Sequence, residues 1–248
     1  MTIATDPQPT FGSGGAEPYA RALRREGRLQ LVRSPGSARP AVPSRGALGG
    51  ALLAGPGAPA LATPAADAFD VARWSRGADA ADLSTILGAT SVLDIGCGPA
   101  RMVRASVERG LDALGVDVST TAVAMAADAG LPVVAGSVFD AVPGEGTWDV
   151  ALLLDGNIGI GGDPGALVAR ASAVVARSGS VVVETAPDAE TDVVYDAQVV
   201  DEQGRASATF PWAEVGREAL GRHAATAGLR VSQTWSVGER TFCRIVRG

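Results

Sequence analysis

Lysine is absent from this 248-residue sequence, and all 21 basic residues are arginine. This is a compositional bias rather than a functional signature, but it does exclude every motif that depends on lysine. Histidine occurs once, as His223, so a single side chain has an unperturbed pKa near neutrality. It falls in a helix ahead of the last two strands, where a surface or core role is expected. Cys97 and Cys243 are too few for a metal cluster and suggest no disulfide framework, which fits a reducing compartment. Long apolar runs are also missing. Ala47 to Ala66 carries no charge, but Pro56, Pro59, Pro64 and several glycines break it, so it reads as a loop and not a membrane span. No basic segment followed by an apolar core opens the chain, and a cytoplasmic location is expected. Aromatic residues make up only 4% of the sequence.

The net charge of −6 argues against nucleic acid or an anionic membrane as partner. The charge is uneven. Residues 1–66 hold seven arginines against Asp6, Glu17 and Glu26, and they are rich in Gly, Pro, Ala and Ser. This stretch reads as a partly disordered N-terminal extension, with a short helix around Tyr19 to Gln30 and a poorly ordered run from Ser34 to Pro64.

From about residue 67 the pattern changes to alternating strands and helices. Ala78 to Leu87 reads as a helix ended by Gly88, and Ser91 to Ile95 as a short apolar strand. Pro99 to Glu108 is the next helix, ended by Gly110. Strands follow at Ala113 to Val118, Val133 to Ala135, Trp148 to Leu154 and Ser180 to Glu184. Between them lie helices capped by Ser119 and by Asp163-Pro164, the latter running to about Arg177. A hairpin is expected over Val193–Val200 and Arg205–Phe210, then a helix from Ala213 to Ala227. Arg230–Val237 and Thr241–Val246 close the chain as two strands. The fold expected is α/β and Rossmann-like: a seven-stranded, mostly parallel sheet with helices on both faces and an antiparallel C-terminal strand. Residues 67–248 would form that domain, with the hairpin near 193–210 as an insertion.

In such a sheet, ligands bind beyond the carboxyl ends of the strands, where strand order reverses. The first strand runs into Asp94-Ile95-Gly96-Cys97-Gly98-Pro99-Ala100, whose glycines allow a sharp turn and a close backbone approach. The helix after it offers unpaired N–H groups. Asp117 ends the second strand, where a carboxylate can accept both hydroxyls of a ribose. A dinucleotide motif would need glycine at position 101, but Arg101 stands there. Asp94 would also repel a pyrophosphate while attracting an ammonium group.

The stretch from about Trp74 to Val246 resembles the class I S-adenosylmethionine-dependent methyltransferases. Val92 to Pro99 is similar to their first motif, with Ala100 where a third glycine is common. Gly115-Val116-Asp117-Val118-Ser119 is similar to the second. Gly136-Ser137-Val138 is similar to the third, which contacts adenine through one side chain and one backbone N–H; the family usually has aspartate where Ser137 stands. Trp148 to Asp155 and Ser178 to Glu184 match the fourth and fifth.

The resemblance implies S-adenosyl-L-methionine as cofactor and a small-molecule methyl acceptor. It places Asp94, Gly96, Cys97, Gly98, Asp117, Val118, Ser137, Val138 and Asp155 at the cofactor. Cys97 reads equally as a packing residue. Asp155 is the candidate catalytic residue, holding the methionine end or the substrate, unless it merely caps its loop. Asp155, Glu184 or no side chain at all would serve as general base. Asn157 and the following Gly-Ile-Gly-Gly form either an active-site loop or a plain connection. Tyr19, Trp74, Phe210 and Trp212 are the aromatics placed where this family builds substrate covers. Other readings are a methyltransferase-like protein that binds without catalysis, a nucleic-acid or protein methyltransferase, and an NAD(P)-dependent oxidoreductase.

Overall fold

The computed structural model describes residues 11, 18–25, 27–41, 67–69, 74 and 76–248. The described residues build two sheets. The N-terminal part contributes α1 (Pro18–Arg25), β1 (Leu29–Arg33), β2 (Arg39–Pro40) and β3 (Asp67–Phe69). The main domain follows with α2 (Ala80–Ser84), β4 (Ser91–Ile95), α3 (Arg101–Val107), β5 (Asp112–Asp117), α4 (Thr120–Asp128), β6 (Val133–Ala135), β7 (Trp148–Leu153), α5 (Pro164–Val174) and β8 (Val175–Thr185). After β8 come β9 (Asp192–Asp201), β10 (Phe210–Val215), α6 (Arg217–Thr226), β11 (Leu229–Val237) and β12 (Arg240–Arg247).

The larger sheet has seven strands in the order β11-β12-β8-β7-β4-β5-β6. Its pairings are parallel from β6 through to β8, and β12 runs antiparallel between β8 and β11. The expected mostly parallel sheet with an antiparallel C-terminal strand is therefore present. Strand order reverses between β4 and β7, and that is where their carboxyl ends open a crevice. The strands forming its floor are almost wholly apolar and buried, from Val92 to Ile95 and from Val150 to Leu153, as strands covered on both faces must be.

The helix signals act as the sequence suggests. Ser119 Oγ accepts from the Ala122 N–H, and Asp163 Oδ1 from the Ala166 N–H, each satisfying a donor at a helix start. Three boundaries differ. α2 covers only Ala80–Ser84 of the helix expected over Ala78–Leu87, its start set by the Asp79 cap. α3 begins at Arg101, two residues after Pro99, because Gly98 and Ala100 take left-handed conformations. α5 stops at Val174, and Val175 starts a strand much longer than expected.

The smaller sheet is antiparallel, with order β10-β9-β1-β3 and β2 added to β9. Here the sequence reading needs three corrections. The helix expected to reach Gln30 ends at Arg25, and Leu29–Arg33 pairs with Ala197–Asp201 instead. The hairpin's second strand is Phe210–Val215 rather than Arg205–Phe210, in register with Asp192–Ala197. The following helix starts at Arg217, since Ala213 lies in β10. Pro211 is tolerated because β10 is an edge strand. Of the poorly ordered run expected over Ser34–Pro64, residues 34–41 form a turn and β2; the remainder lies outside the described residues.

The small sheet rests on the segment Gly156–Gly162, which follows β7. A Cβ on Gly159 would lie 2.4 Å from the Ala213 carbonyl and 2.6 Å from the Trp212 ring, and one on Gly162 would lie 2.8 Å from Pro211. The glycines are a fitted seat for β10, not a loose connection. Gly159→Ala should cost about 1–3 kcal/mol of stability, the range for overpacking a filled site. Urea unfolding monitored by far-UV circular dichroism would read this, and an unchanged midpoint would mean the seat is soft. His223 is buried and lies 2.8 Å from Asp192 Oδ1, tying α6 to the foot of β9 as a core residue.

Candidate active site

All nine residues that the resemblance places at a cofactor line one cavity at the reversal point of the large sheet. Asp94, Gly96, Cys97 and Gly98 come from the end of β4 and the turn after it. Asp117 and Val118 come from the end of β5, Ser137 and Val138 follow β6, and Asp155 follows β7.

The turn after β4 is held open by its neighbours. Gly96 has φ +71, and a Cβ there would lie 2.8 Å from the Asn157 amide. That amide donates to the Ile95 and Gly96 carbonyls at 2.8 and 3.0 Å, bracing the turn from the loop after β7. Ala100 sits at φ +67, a region that costs a residue with a Cβ roughly 1–2 kcal/mol. This accounts for the glycine common there in the resembling family. Cys97 packs its sulfur into the space left by Gly115, where a Cβ would lie only 2.6 Å away. Burial above all, then the carboxylates of Asp94 and Asp117, pushes its thiol far above the ordinary range, so it is no nucleophile.

The two acids differ in their surroundings. Asp94 is 5% exposed. Burial raises its carboxyl to about 7, with Arg101 opposing and Asp155, Asp117 and Asp82 adding to the rise. Asp117 is also raised by burial, but N–H groups hold its charge: Ser119 donates to Oδ1 at 2.7 Å and Gly98 to Oδ2 at 2.8 Å.

Arg101 is the residue whose role the sequence hides. Read as bulk that displaces a glycine, it is 6% exposed and forks between two carboxylates, Asp82 on α2 and Asp155 after β7. Asp82 is fully buried and also accepts from Arg240 at 2.8 Å. Arg240 in turn grips both oxygens of Glu184 at 2.7 Å, and Glu184 accepts the Asp155 N–H at 2.9 Å. Asp155 itself takes φ +52, a left-handed conformation held by these partners. The Asp–Arg–Asp–Arg–Glu chain thus joins α2, α3, β8, β12 and the loop after β7. No sequence signal links these positions.

Over the cavity lies the small sheet with α1. Tyr19 reaches in from α1, and its hydroxyl would stand 3.3 Å from a Cβ on Gly98. Burial first, then Asp117 and Cys97, drives its phenol well above the usual range, so it is a donor and not a base. Trp74 and Trp212 also line the cavity. Phe210, the fourth aromatic singled out, packs beside Trp212 at 5.9 Å without lining it. Phe11, not anticipated, does line it. Among the described residues no helix is long and apolar enough to cross a membrane, and no group of His, Cys, Asp and Glu is placed to hold a metal ion.

No family model matches the sequence, and no curated protein matches it. Solved structures do resemble the fold. An S-adenosylmethionine-dependent methyltransferase from Bacteroides fragilis, solved with S-adenosyl-L-homocysteine, superposes with a TM-score of 0.70 at 16% identity over 100% of both chains. A methyltransferase from Streptomyces caelestis gives 0.54 at 13% identity, over 67% of this chain and 87% of its own. A sugar N-methyltransferase from a Streptoalloteichus species gives 0.53 at 19% identity, over 82% and 99%. The chain has the class I methyltransferase fold.

Proposed function

We propose that the protein is an S-adenosyl-L-methionine-dependent methyltransferase acting on a small molecule. The observation that carries this reading is the pair of acids, Asp94 buried and Asp117 half-buried, at the ends of the adjacent strands β4 and β5, facing one cavity across a glycine turn. The residues present fit the donor group by group. Asp94 suits its ammonium, Asp117 its ribose hydroxyls, and Gly96 and Gly98 leave the backbone open to close approach. Ser137 and Val138 fall where the resembling family holds adenine. Among the described residues, Arg101 is the one cation lining the cavity, against Asp94, Asp117 and Asp155. That balance favours a ligand with two positive groups and one carboxylate, and it opposes the pyrophosphate of NAD(P).

When bound, the donor supplies a methyl group activated by a sulfonium. The chain's own part is to position donor and acceptor and to exclude water. Asp155 is best read as a positioning residue, because its carboxylate is committed to Arg101; Glu184 is likewise committed to Arg240. Neither is placed as a free general base. The small sheet, including part of residues 1–66, serves as the cover over the acceptor. The cavity's extension beneath that cover favours turnover over a binding-only role, and the Streptoalloteichus neighbour, a sugar N-methyltransferase, is in keeping with a small acceptor.

Calorimetric titration tests the reading. S-adenosyl-L-methionine and S-adenosyl-L-homocysteine should bind and the nicotinamide nucleotides should not; the reverse pattern would overturn the donor assignment.

A further inference from the structure

The cavity has two chemically distinct sides. On the side of the large sheet stand all the charged residues that line it among those described, Asp94, Asp117, Asp155 and Arg101, with Phe139 the one ring there. On the cover side stand Phe11, Tyr19, Trp74, Pro211 and Trp212, with no charged side chain among the described residues. These rings form one connected wall: Phe11 lies 4.9 Å from Tyr19 and 5.6 Å from Trp212, and Tyr19 lies 6.1 Å from Trp74.

Aromatics are only 4% of the chain. The largest core cluster, built mainly between the large sheet, α5 and α6, buries Leu, Val, Ile, Ala and Cys243, and the one ring packed against it is the half-buried Trp148. A cover that only had to exclude water could be filled in the same way. Rings drawn from three separate segments and gathered on one wall therefore point to what that wall touches. Aromatic pairs gain about 0.5–1.5 kcal/mol beyond their buried area through stacked or edge-to-face geometry, an advantage no saturated ring shares. A cationic acceptor would also meet such a wall well, but it would then face the positive sulfonium at close range. An anionic one would approach three carboxylates.

Resting on the donor assignment above, we propose that the methyl acceptor is an uncharged, planar aromatic compound seated against this wall, with Trp212 as its main contact. Its nucleophilic atom forms the new bond to the methyl carbon as the carbon–sulfur bond breaks. The electron pair returns to sulfur as a neutral thioether, and the acceptor's proton leaves to water.

The full chain is first titrated with S-adenosyl-L-homocysteine alone, then, once saturated, with 1-naphthol, with its saturated analogue decahydro-1-naphthol, and with tetramethylammonium. The expected result is that 1-naphthol binds at least tenfold more tightly than either of the others. Trp212→Leu should weaken 1-naphthol at least tenfold and change the affinity for S-adenosyl-L-homocysteine less than twofold. Equal binding of the saturated analogue, a preference for the cation, no binding of 1-naphthol, or indifference to Trp212→Leu would each overturn the proposal. Should that variant not fold, the three probes on the wild-type chain still decide it. Failure of S-adenosyl-L-homocysteine to bind in the first titration would overturn the donor reading itself and take the acceptor class with it.

Discussion

At pH 8, Asp94→Asn should raise the unfolding temperature of the ligand-free protein while cutting its affinity for S-adenosyl-L-methionine at least tenfold. Burial holds the Asp94 carboxyl near 7 in the folded chain, against an ordinary value of 3.8. A difference of that size is worth roughly 4 kcal/mol between the two protonation states. The folded value lies above the unfolded one. Between about pH 4 and pH 7 the folded protein therefore keeps a proton that the unfolded chain has released, and stability falls as pH rises through that window. Above pH 7 the cost of the buried charge is complete. Asparagine removes it, so the variant should melt several degrees higher at pH 8, at roughly 2–4 °C per kcal/mol for a chain of this size. Below about pH 4, where the unfolded carboxyl is protonated as well, the two proteins should melt together. Thermal scans at pH 8 and below pH 4 check this, and equal melting at pH 8 would mean that burial does not raise the carboxyl.

The same group ties stability to function. A cation beside Asp94 favours its ionised form, so donor binding below pH 7 should release close to one proton. Wild-type affinity should climb up to tenfold per pH unit until about 7 and then level off. Asp94→Asn should lose both the affinity and this slope. Hydrogen bonds to a charged group contribute about 1.5–3 kcal/mol, which sets the expected loss at tenfold or more.

What the sequence made legible follows from how far apart the interacting residues lie. β4, β5 and β6 are short apolar runs that end at glycine or a carboxylate, and buried parallel strands carry that pattern locally. The nine cavity residues could be chosen together because each lies at or just beyond the end of a strand of the same sheet. The small sheet gave no such signal. Leu29–Arg33 became a strand because Ala197–Asp201 and Asp67–Phe69 offer it partners on its two edges, so a helical reading running through Gly27 was locally reasonable. Phe210–Val215 contains Pro211 and buries residues without a period of two, which masks a strand that sits at an edge. Trp212 and Tyr19 were picked out as cover aromatics, but their meeting, and the arrival of Phe11, depend on that non-local sheet.

The largest loss of stability should come from the residue whose partners are hardest to foresee. Asp82 and Asp155 lie 19 and 54 positions from Arg101. Arg101→Met should cost about 3–5 kcal/mol, the range for removing one partner of a buried ion pair. The penalty arises because Asp155 and the fully buried Asp82 each lose an ion-pair partner, leaving Arg240 at 3.8 Å from Asp155 and 2.8 Å from Asp82. If stranded charge is the cause, adding Asp155→Asn to Arg101→Met should recover part of the loss, whereas independent effects would simply add. Arg101→Lys should fall between, since a lysine keeps the charge but cannot fork between two carboxylates. Urea unfolding of the wild type, Arg101→Met, Asp155→Asn and the double variant at pH 7.5 reads the cycle, with Arg101→Lys measured beside them, and additive losses would show that packing, not charge, is what Arg101 supplies. The ligand gives a second readout. If Arg101 also faces the donor's carboxylate, wild type should bind S-adenosyl-L-methionine more tightly than its decarboxylated analogue, and Arg101→Lys should narrow that gap while Asp94→Asn leaves it intact.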